Sequence, residues 1–207
     1  MARQIVCVSH APGAGGRAVG RAVAERLGFR YVDEEVIAEA ADWADVEPSV
    51  VADAERRKPL VERALGGLAY AGPGAEFAGP DAWGWADMGP AEADLRALIV
   101  EVLHAFADRG KVVIVSHAAS FALADRDALR VLVTASPETR ARRVAKEKDV
   151  GERDGVRQVK KEDDARADYL KRFYGVGQEL PVHYDLVVNT DAMTPDEAAR
   201  AIEGAAA

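Results

Sequence analysis

The chain has 207 residues, 49% of them hydrophobic, which suits one domain, or one with a small insertion, and is enough to bury a full core. With 27 Lys and Arg against 35 Asp and Glu its formal net charge is −8, which argues against general nucleic-acid binding, and its single cysteine excludes an internal disulfide. The N-terminus has no signal-peptide apolar region and no apolar run is long enough to span a bilayer, so a cytoplasmic protein away from membranes is expected, with Cys7 a small core residue.

The first predicted strand covers about Gln4 to Val8. It runs into the turn Ser9-His10-Ala11-Pro12-Gly13-Ala14-Gly15-Gly16-Arg17-Ala18. Behind the turn, Val19, Ala22, Val23, Arg26 and Leu27 recur at helical spacing, and Gly28 ends that helix. Strand, glycine loop and helix is the build of a phosphate cradle, because loop and first-turn amides lack partners of their own and point at an anion. Set against G-x-x-x-x-G-K-[ST], Ala11 takes the first glycine, Gly16 the second, Arg17 the lysine and Ala18 the serine or threonine. Arg17 keeps the charge as a planar fork, and Ala18 has no hydroxyl for Mg²⁺. The alternative is a glycine-rich turn with no ligand.

A short strand over Phe29–Val32 leads to Asp33 and a helix through Ile37 to Trp43. A helix is expected from Pro48 to about Leu65, kinked or ended by Pro59. From Gly66 to Pro90 glycine, proline and alanine dominate around Phe77, Trp83 and Trp85, which reads as an irregular excursion packed on the body. A helix over about Ala91–Arg109 precedes the strands Val112–Val115 and Leu129–Thr134. Ser136 and Pro137 start a helix, and helical spacing continues through the charged stretch 138–172. Asp185–Val188 is the last strand, and Thr194-Pro195-Asp196-Glu197 is a capping box for the last helix. Alternating strands and helices argue for an α/β fold with a parallel sheet. Ligands of such sheets bind beyond the carboxyl ends of the strands, which selects Ser9–Ala18, Asp33, Ser116–Ser120 and Thr134–Ser136.

Five segments, in order, carry a resemblance. Ser9–Arg17 is similar to S-R-x-x-G-S-G-G-R, and Phe29-Arg30-Tyr31-Val32-Asp33-Glu34-Glu35-Val36-Ile37 to Y-Y-D-K-E-L-I. Thr134–Arg143 resembles T-A-S-x-E-x-R-A-x-R-R. Asp163–Tyr169 with Arg172–Val176 resembles D-x-x-R-x-x-Y and F-Y-G-V, and Tyr184–Thr190 resembles Y-D-L-V-I-N-T. Together they resemble the cytidylate-kinase-like family of P-loop kinases. The resemblance implies a three-layer P-loop NTPase fold with a five-stranded parallel sheet, of the nucleoside-monophosphate-kinase kind. It implies one domain over 1–207, with 43–95 as an acceptor-binding, irregular insertion and 140–175 as a lid.

The activity implied is phosphoryl transfer from ATP, with Mg²⁺, to a nucleoside monophosphate such as CMP. By the same resemblance, ATP sits on Gly13, Ala14, Gly15, Gly16, Arg17 and Ala18. Arg17 lies beside the β and γ phosphates. Asp33 holds Mg²⁺ through water or orients the acceptor; its other reading is a helix N-cap. Arg140, Arg143 and Arg166 are the lid candidates. Arg140 and Arg143 share a helix face that Arg142 does not, while Glu138 and Glu147 would pair with them on a merely solvated face. Asp163, three residues before Arg166, is its expected helical partner.

The chain departs from the family pattern at three places on one edge. His117 stands in Val115-Ser116-His117-Ala118-Ala119 where V-G-R-G-A is usual, and is a candidate acceptor-binding residue with Asp33. His10 replaces the arginine of the first signature, and Ala18 lacks the hydroxyl. Two further readings therefore stand beside the kinase: a catalytically silent nucleotide- or phosphate-binding protein, and an interaction protein with Trp83 and Trp85 at its contact surface. The oligomeric state is not readable.

Overall fold

The computed structural model describes residues 2–33, 35–45, 48, 92–116 and 118–207. The helix expected over Pro48–Leu65 and the excursion Gly66–Pro90 lie outside them, apart from Pro48, as does His117. Strands β1 (Ile5–His10), β2 (Arg30–Val32), β3 (Val112–Val115), β4 (Ala128–Thr134) and β5 (Leu186–Asn189) form one parallel sheet in the order β2-β3-β1-β4-β5. The helices are α1 (Gly16–Leu27), α2 (Glu35–Ala44), α3 (Glu92–Arg109), α4 (Ala119–Ala122), α5 (Pro137–Glu147), α6 (Glu152–Tyr174) and α7 (Pro195–Ala206). A 3₁₀ turn, Pro181–His183, precedes β5.

The near-continuous apolar run of β1 is what a strand covered on both faces requires. Val6 and Val8 pack with Val19 and Val23 of α1 and Ala198 and Ile202 of α7. Cys7 and Ile114 point the other way, onto Val36 and Ala40 of α2 and Val102, Leu103 and Phe106 of α3. The central position of β1, between β3 and β4, brings its carboxyl end and the loop behind it to the middle of the sheet edge. That is the expected three-layer α/β fold.

Helix ends follow the local chemistry. Ser136 accepts from the Thr139 amide at 3.3 Å with Pro137 in the first turn of α5. Thr194 and Glu197 form the capping box of α7, with the Thr194 amide donating to Glu197 Oε2 at 2.8 Å. Gly28 closes α1 at φ 66°. The stretch 138–172 is two helices, not one. The break falls where Asp149 takes φ 51° and Gly151 caps α6. α6 then packs on α5 so closely that a Cβ on Gly155 would lie 2.5 Å from the Ala141 carbonyl oxygen.

Candidate active site

The loop Ala11–Gly15 is held from behind. Its first amide, Ala11 N–H, donates to the Val133 carbonyl of β4 at 3.0 Å, and Ala14 N–H turns back to Ala11 O at 3.0 Å. Three successive carbonyls then face donors on the β5 and α5 side. Pro12 O accepts from Arg140 Nη1 at 3.4 Å, Gly13 O from Arg143 Nη1 at 3.5 Å and Ala14 O from Thr190 Oγ1 at 2.8 Å. The amides of Gly13, Gly15, Gly16 and Ala18 have no hydrogen-bond partner among the described residues. At the N-terminus of α1 such amides carry the positive end of the helix dipole and suit an anion.

Each glycine of the loop has its own reason. Gly13, at φ 75°, lies against α5, where a Cβ would meet the Arg140 carbonyl oxygen at 2.6 Å. Gly16 lies under the His10 side chain, whose carbons leave a Cβ only 2.3 Å. Gly15, at φ 79°, faces open space, and only its left-handed backbone asks for glycine. Two of the three glycines therefore answer to packing within the protein.

His10 Nδ1 lies 3.3 Å from the Ala11 carbonyl. Burial holds its pKa below the ordinary value, and Arg166 and Arg17 push the same way. The ring is neutral at pH 7. Arg166 lines the cavity beside Ala11, and Arg17 follows the loop in the first turn of α1.

Arg17 Nε meets Asp33 Oδ2 at 3.2 Å, and the Tyr31 hydroxyl donates to the same oxygen at 3.0 Å. Arg17 is 55% exposed and Asp33 15%, so the pair is open to exchange on its Arg17 side. Burial, then Asp33, pushes the Tyr31 phenol up to about 12.

The arginines of α5 and α6 are engaged. Arg140 forms a bidentate pair with Asp163, 2.8 Å at both oxygens. Arg143 gives Nη1 to Thr190 Oγ1 at 3.0 Å and Nη2 to the Thr190 carbonyl at 2.7 Å. Their partners are thus Asp163 and Thr190 rather than Glu138 and Glu147. Arg142 turns away, to Thr139 Oγ1 at 3.5 Å. Asp163 goes across to α5, not to Arg166 on its own helix. Arg166 is held by Glu179, Nε to Oε2 at 2.8 Å and Nη2 to Oε1 at 2.6 Å. Glu179, Thr190 and Tyr184 received no role from the sequence, and Ser9 and Ser120 were placed only on the ligand-binding edge. Thr190 and Tyr184 sat inside a resembling segment, but Glu179 carries no motif that would have singled it out.

Two cavities flank the loop. One of about 150 Å³ lies beside Ala11 and is lined by Asp163, Arg166, Leu170 and Glu179. The other, of about 180 Å³, lies between Gly15, Val19, Arg143, Thr190, Met193 and Pro195. Among the described residues no group of three or more His, Cys, Asp and Glu side chains could hold a metal ion, and no helix is long and apolar enough to cross a membrane. Mg²⁺ needs no such cage when a phosphate chain supplies ligands, and one carboxylate such as Asp33 fits that use.

The family profile of the cytidylate kinase-like family matches residues 5–192, which takes in the whole sheet and the loop. The chain belongs to the cytidylate kinase-like family. A cytidylate kinase from Sulfurisphaera tokodaii is 28% identical over 103 residues, 50% of this chain and 57% of that protein, so the chain spans little more than half of that curated relative. An uncharacterized protein from Eubacterium ventriosum shares the fold at TM-score 0.66 with 16% identity, covering 98% of this chain and 97% of the other. A shikimate kinase from Bacteroides thetaiotaomicron does so at TM-score 0.56 and 14% identity, over 99% and 98%. The solved structures share the fold, and membership of the cytidylate kinase-like family supports a nucleotide-kinase-like role. Phosphoryl transfer asks the protein for positioning and charge stabilisation more than covalent chemistry, and the loop with its arginines is suited to both.

Proposed function

We propose that this protein transfers the γ-phosphoryl group of ATP to a nucleoside monophosphate of the CMP type. The observation that carries the reading is the loop tied down by its carbonyls to Arg140, Arg143 and Thr190, with the amides of Gly13, Gly15, Gly16 and Ala18 left without a hydrogen-bond partner among the described residues. Those amides take the phosphate chain. The cavity beside Gly15, Val19 and Arg143 has room for the base of the donor. Arg17 leaves Asp33 for the β and γ phosphates, an exchange that its exposure permits. Asp33 then orients the acceptor and holds Mg²⁺ through water; bound Mg²⁺ neutralises charge on the phosphate oxygens. Arg140 and Arg143 fix the loop, and Arg166 adds a cation at its mouth. His117 and the 43–95 insertion take the acceptor in this reading, and 140–175 closes over it. The setting is the cytoplasm, where both nucleotides are supplied.

A coupled assay for ADP release against a panel of nucleoside monophosphates, with Mg²⁺ and with Mn²⁺, tests the reading. Turnover fastest with CMP or dCMP is expected. Absence of turnover with every acceptor at high protein concentration overturns it. A second reading, a catalytically silent nucleotide-binding protein, is favoured by Ala18 and by the Arg17–Asp33 pair. Calorimetry decides between them: ATP binding without turnover selects the silent protein.

A further inference from the structure

Ser9, Ser120, Tyr184 and Glu179 are polar groups, buried or largely so, that none of these roles uses. Ser120 Oγ and Ser9 Oγ are 3.1 Å apart, and both residues are fully buried. The Tyr184 hydroxyl donates to Glu179 Oε1. Glu179 in turn receives Nε and Nη2 of Arg166, whose side chain is 7% exposed. A carboxylate can only accept, so Tyr184 gives its proton to Glu179. The phenol and the guanidinium thus meet on one carboxylate.

These groups come from different elements of the fold. Ser9 is next to last in β1, just before the loop; Ser120 lies on α4 after β3; Tyr184 precedes β5; Arg166 belongs to α6. Glu179 sits in the connector after Gly175, which caps α6 at φ 67°, so no helix fixes it. Its place is set by Tyr184, whose ring packs edge-on to Phe121 with centroids 6.0 Å apart. Burying an ion pair and three hydroxyls costs desolvation that apolar packing would avoid, so stability alone does not account for the arrangement. Its end point does: Arg166 and Glu179 line the cavity of about 150 Å³ beside Ala11, at the start of the loop. A cation there needs a fixed direction before the ligand arrives.

We propose that Glu179 and Tyr184 are positioning residues for Arg166, a buried brace that aims its guanidinium at the phosphate-bearing ligand of the loop. The proposal rests on the phosphate-binding reading of the loop and adds the residues that make its deepest cation effective. Glu179 remains ionised in spite of burial, because Arg166 and Tyr184 outweigh the desolvation, and Tyr184 keeps its proton through burial first and then the Glu179 contact.

The test uses the full chain and measures the affinities for ATP and for CMP by calorimetry, with thermal midpoints recorded for each protein. Arg166→Lys keeps the charge but loses the fork, and is expected to weaken one of the two ligands tenfold or more. Tyr184→Phe removes only the hydroxyl. It is expected to weaken that same ligand threefold or more, to leave the other within twofold, and to add less than twofold to Arg166→Lys in the double variant. Glu179→Gln is expected to behave alike; should it fail to fold, Tyr184→Phe carries the test. Affinities unchanged in Tyr184→Phe, or both lowered equally with a lower midpoint, or full additivity with Arg166→Lys, overturn the brace while the loop reading stands. An Arg166→Lys variant with both affinities intact also overturns it. Absence of ATP and CMP binding by the unaltered protein removes the loop reading and the brace together.

Discussion

Arg143 and Thr190 meet behind the phosphate loop: one guanidinium nitrogen donates to the Thr190 hydroxyl oxygen at 3.0 Å and another to its carbonyl at 2.7 Å. The hydroxyl itself donates to Ala14 O at 2.8 Å. A side chain from the end of β5 and one from α5 therefore fix the carbonyl side of a loop that begins on β1. This couples the shape of the anion site to three elements distant in sequence, and it makes residues outside the loop responsible for its grip.

Thr190→Val keeps the shape and deletes that hydroxyl. Ala14 O loses its donor and the Arg143 fork loses one acceptor. A buried group left without its partner costs about 1–3 kcal/mol. The expected outcome is a stability loss of that size in urea unfolding, together with weaker ATP binding in calorimetry. A loss of stability with unchanged affinity would show that the loop holds its shape without Thr190.

Gly13→Ala and Gly15→Ala separate packing from backbone strain. Both positions have a left-handed φ, 75° and 79°, which costs an L-residue roughly 1–2 kcal/mol. Only Gly13 adds a clash, 2.6 Å to a backbone oxygen of α5 that no rotamer change relieves. Gly13→Ala is therefore expected to lose about 3 kcal/mol or more, and Gly15→Ala about half as much. At Gly15 the new methyl points into open space, so the effect shows in ATP affinity more than in the unfolding midpoint. Equal destabilisation by both would remove the packing argument.

Asp33→Asn tests the pair at the loop's mouth. Arg17 is more than half exposed, and such pairs contribute about 0–1 kcal/mol. The amide oxygen still accepts from Tyr31. Stability is expected to change by less than about 1 kcal/mol. Turnover is expected to fall at least about a hundredfold, because the proposed acceptor-orienting carboxylate is gone. Unchanged kcat would leave Asp33 as a partner of Arg17 alone.

The order of the elements and the α/β class were legible because each element carries its own local signal. Gly16–Leu27 and Val112–Val115 lie where periodicity and punctuation put them. The pairings of the arginines were not legible. Spacing of three residues on one helix suggests Asp163 for Arg166, yet Asp163 serves Arg140 on the other helix. That exchange depends on the close approach of α5 and α6 at Gly155, which helical periodicity does not encode. Glu179 lies in a connector with no periodicity, so only the folded chain brings it to Arg166. By resemblance Gly13, Gly15 and Gly16 are where ATP sits. For Gly13 and Gly16 the structure gives a nearer reason, the backbone of α5 and the side chain of His10.

Acid is expected to destabilise the protein in two stages. His10 has its pKa held below the ordinary 6.5, by burial first and then by Arg166 and Arg17, against the Ala11 carbonyl and Asp33. The unfolded chain therefore takes up that proton first, and stability falls as pH drops below about 6.5 until the folded value is passed. Glu179 and Asp185 follow. Burial raises the Glu179 pKa, but Arg166 and Tyr184 together bring it below the ordinary 4.5. The Arg130 hydrogen bond brings Asp185 below 3.8. Carboxylates depressed in the fold contribute stability above their unfolded values and lose it as pH falls through the folded ones. Urea midpoints measured from pH 8 to pH 3 should be flat above pH 7, decline from about pH 6.5, and decline more steeply below about pH 4.5. His10→Gln should abolish the first decline and keep the second. A first decline that survives His10→Gln would assign it to other groups and would mean that the imidazole is not held neutral at the loop.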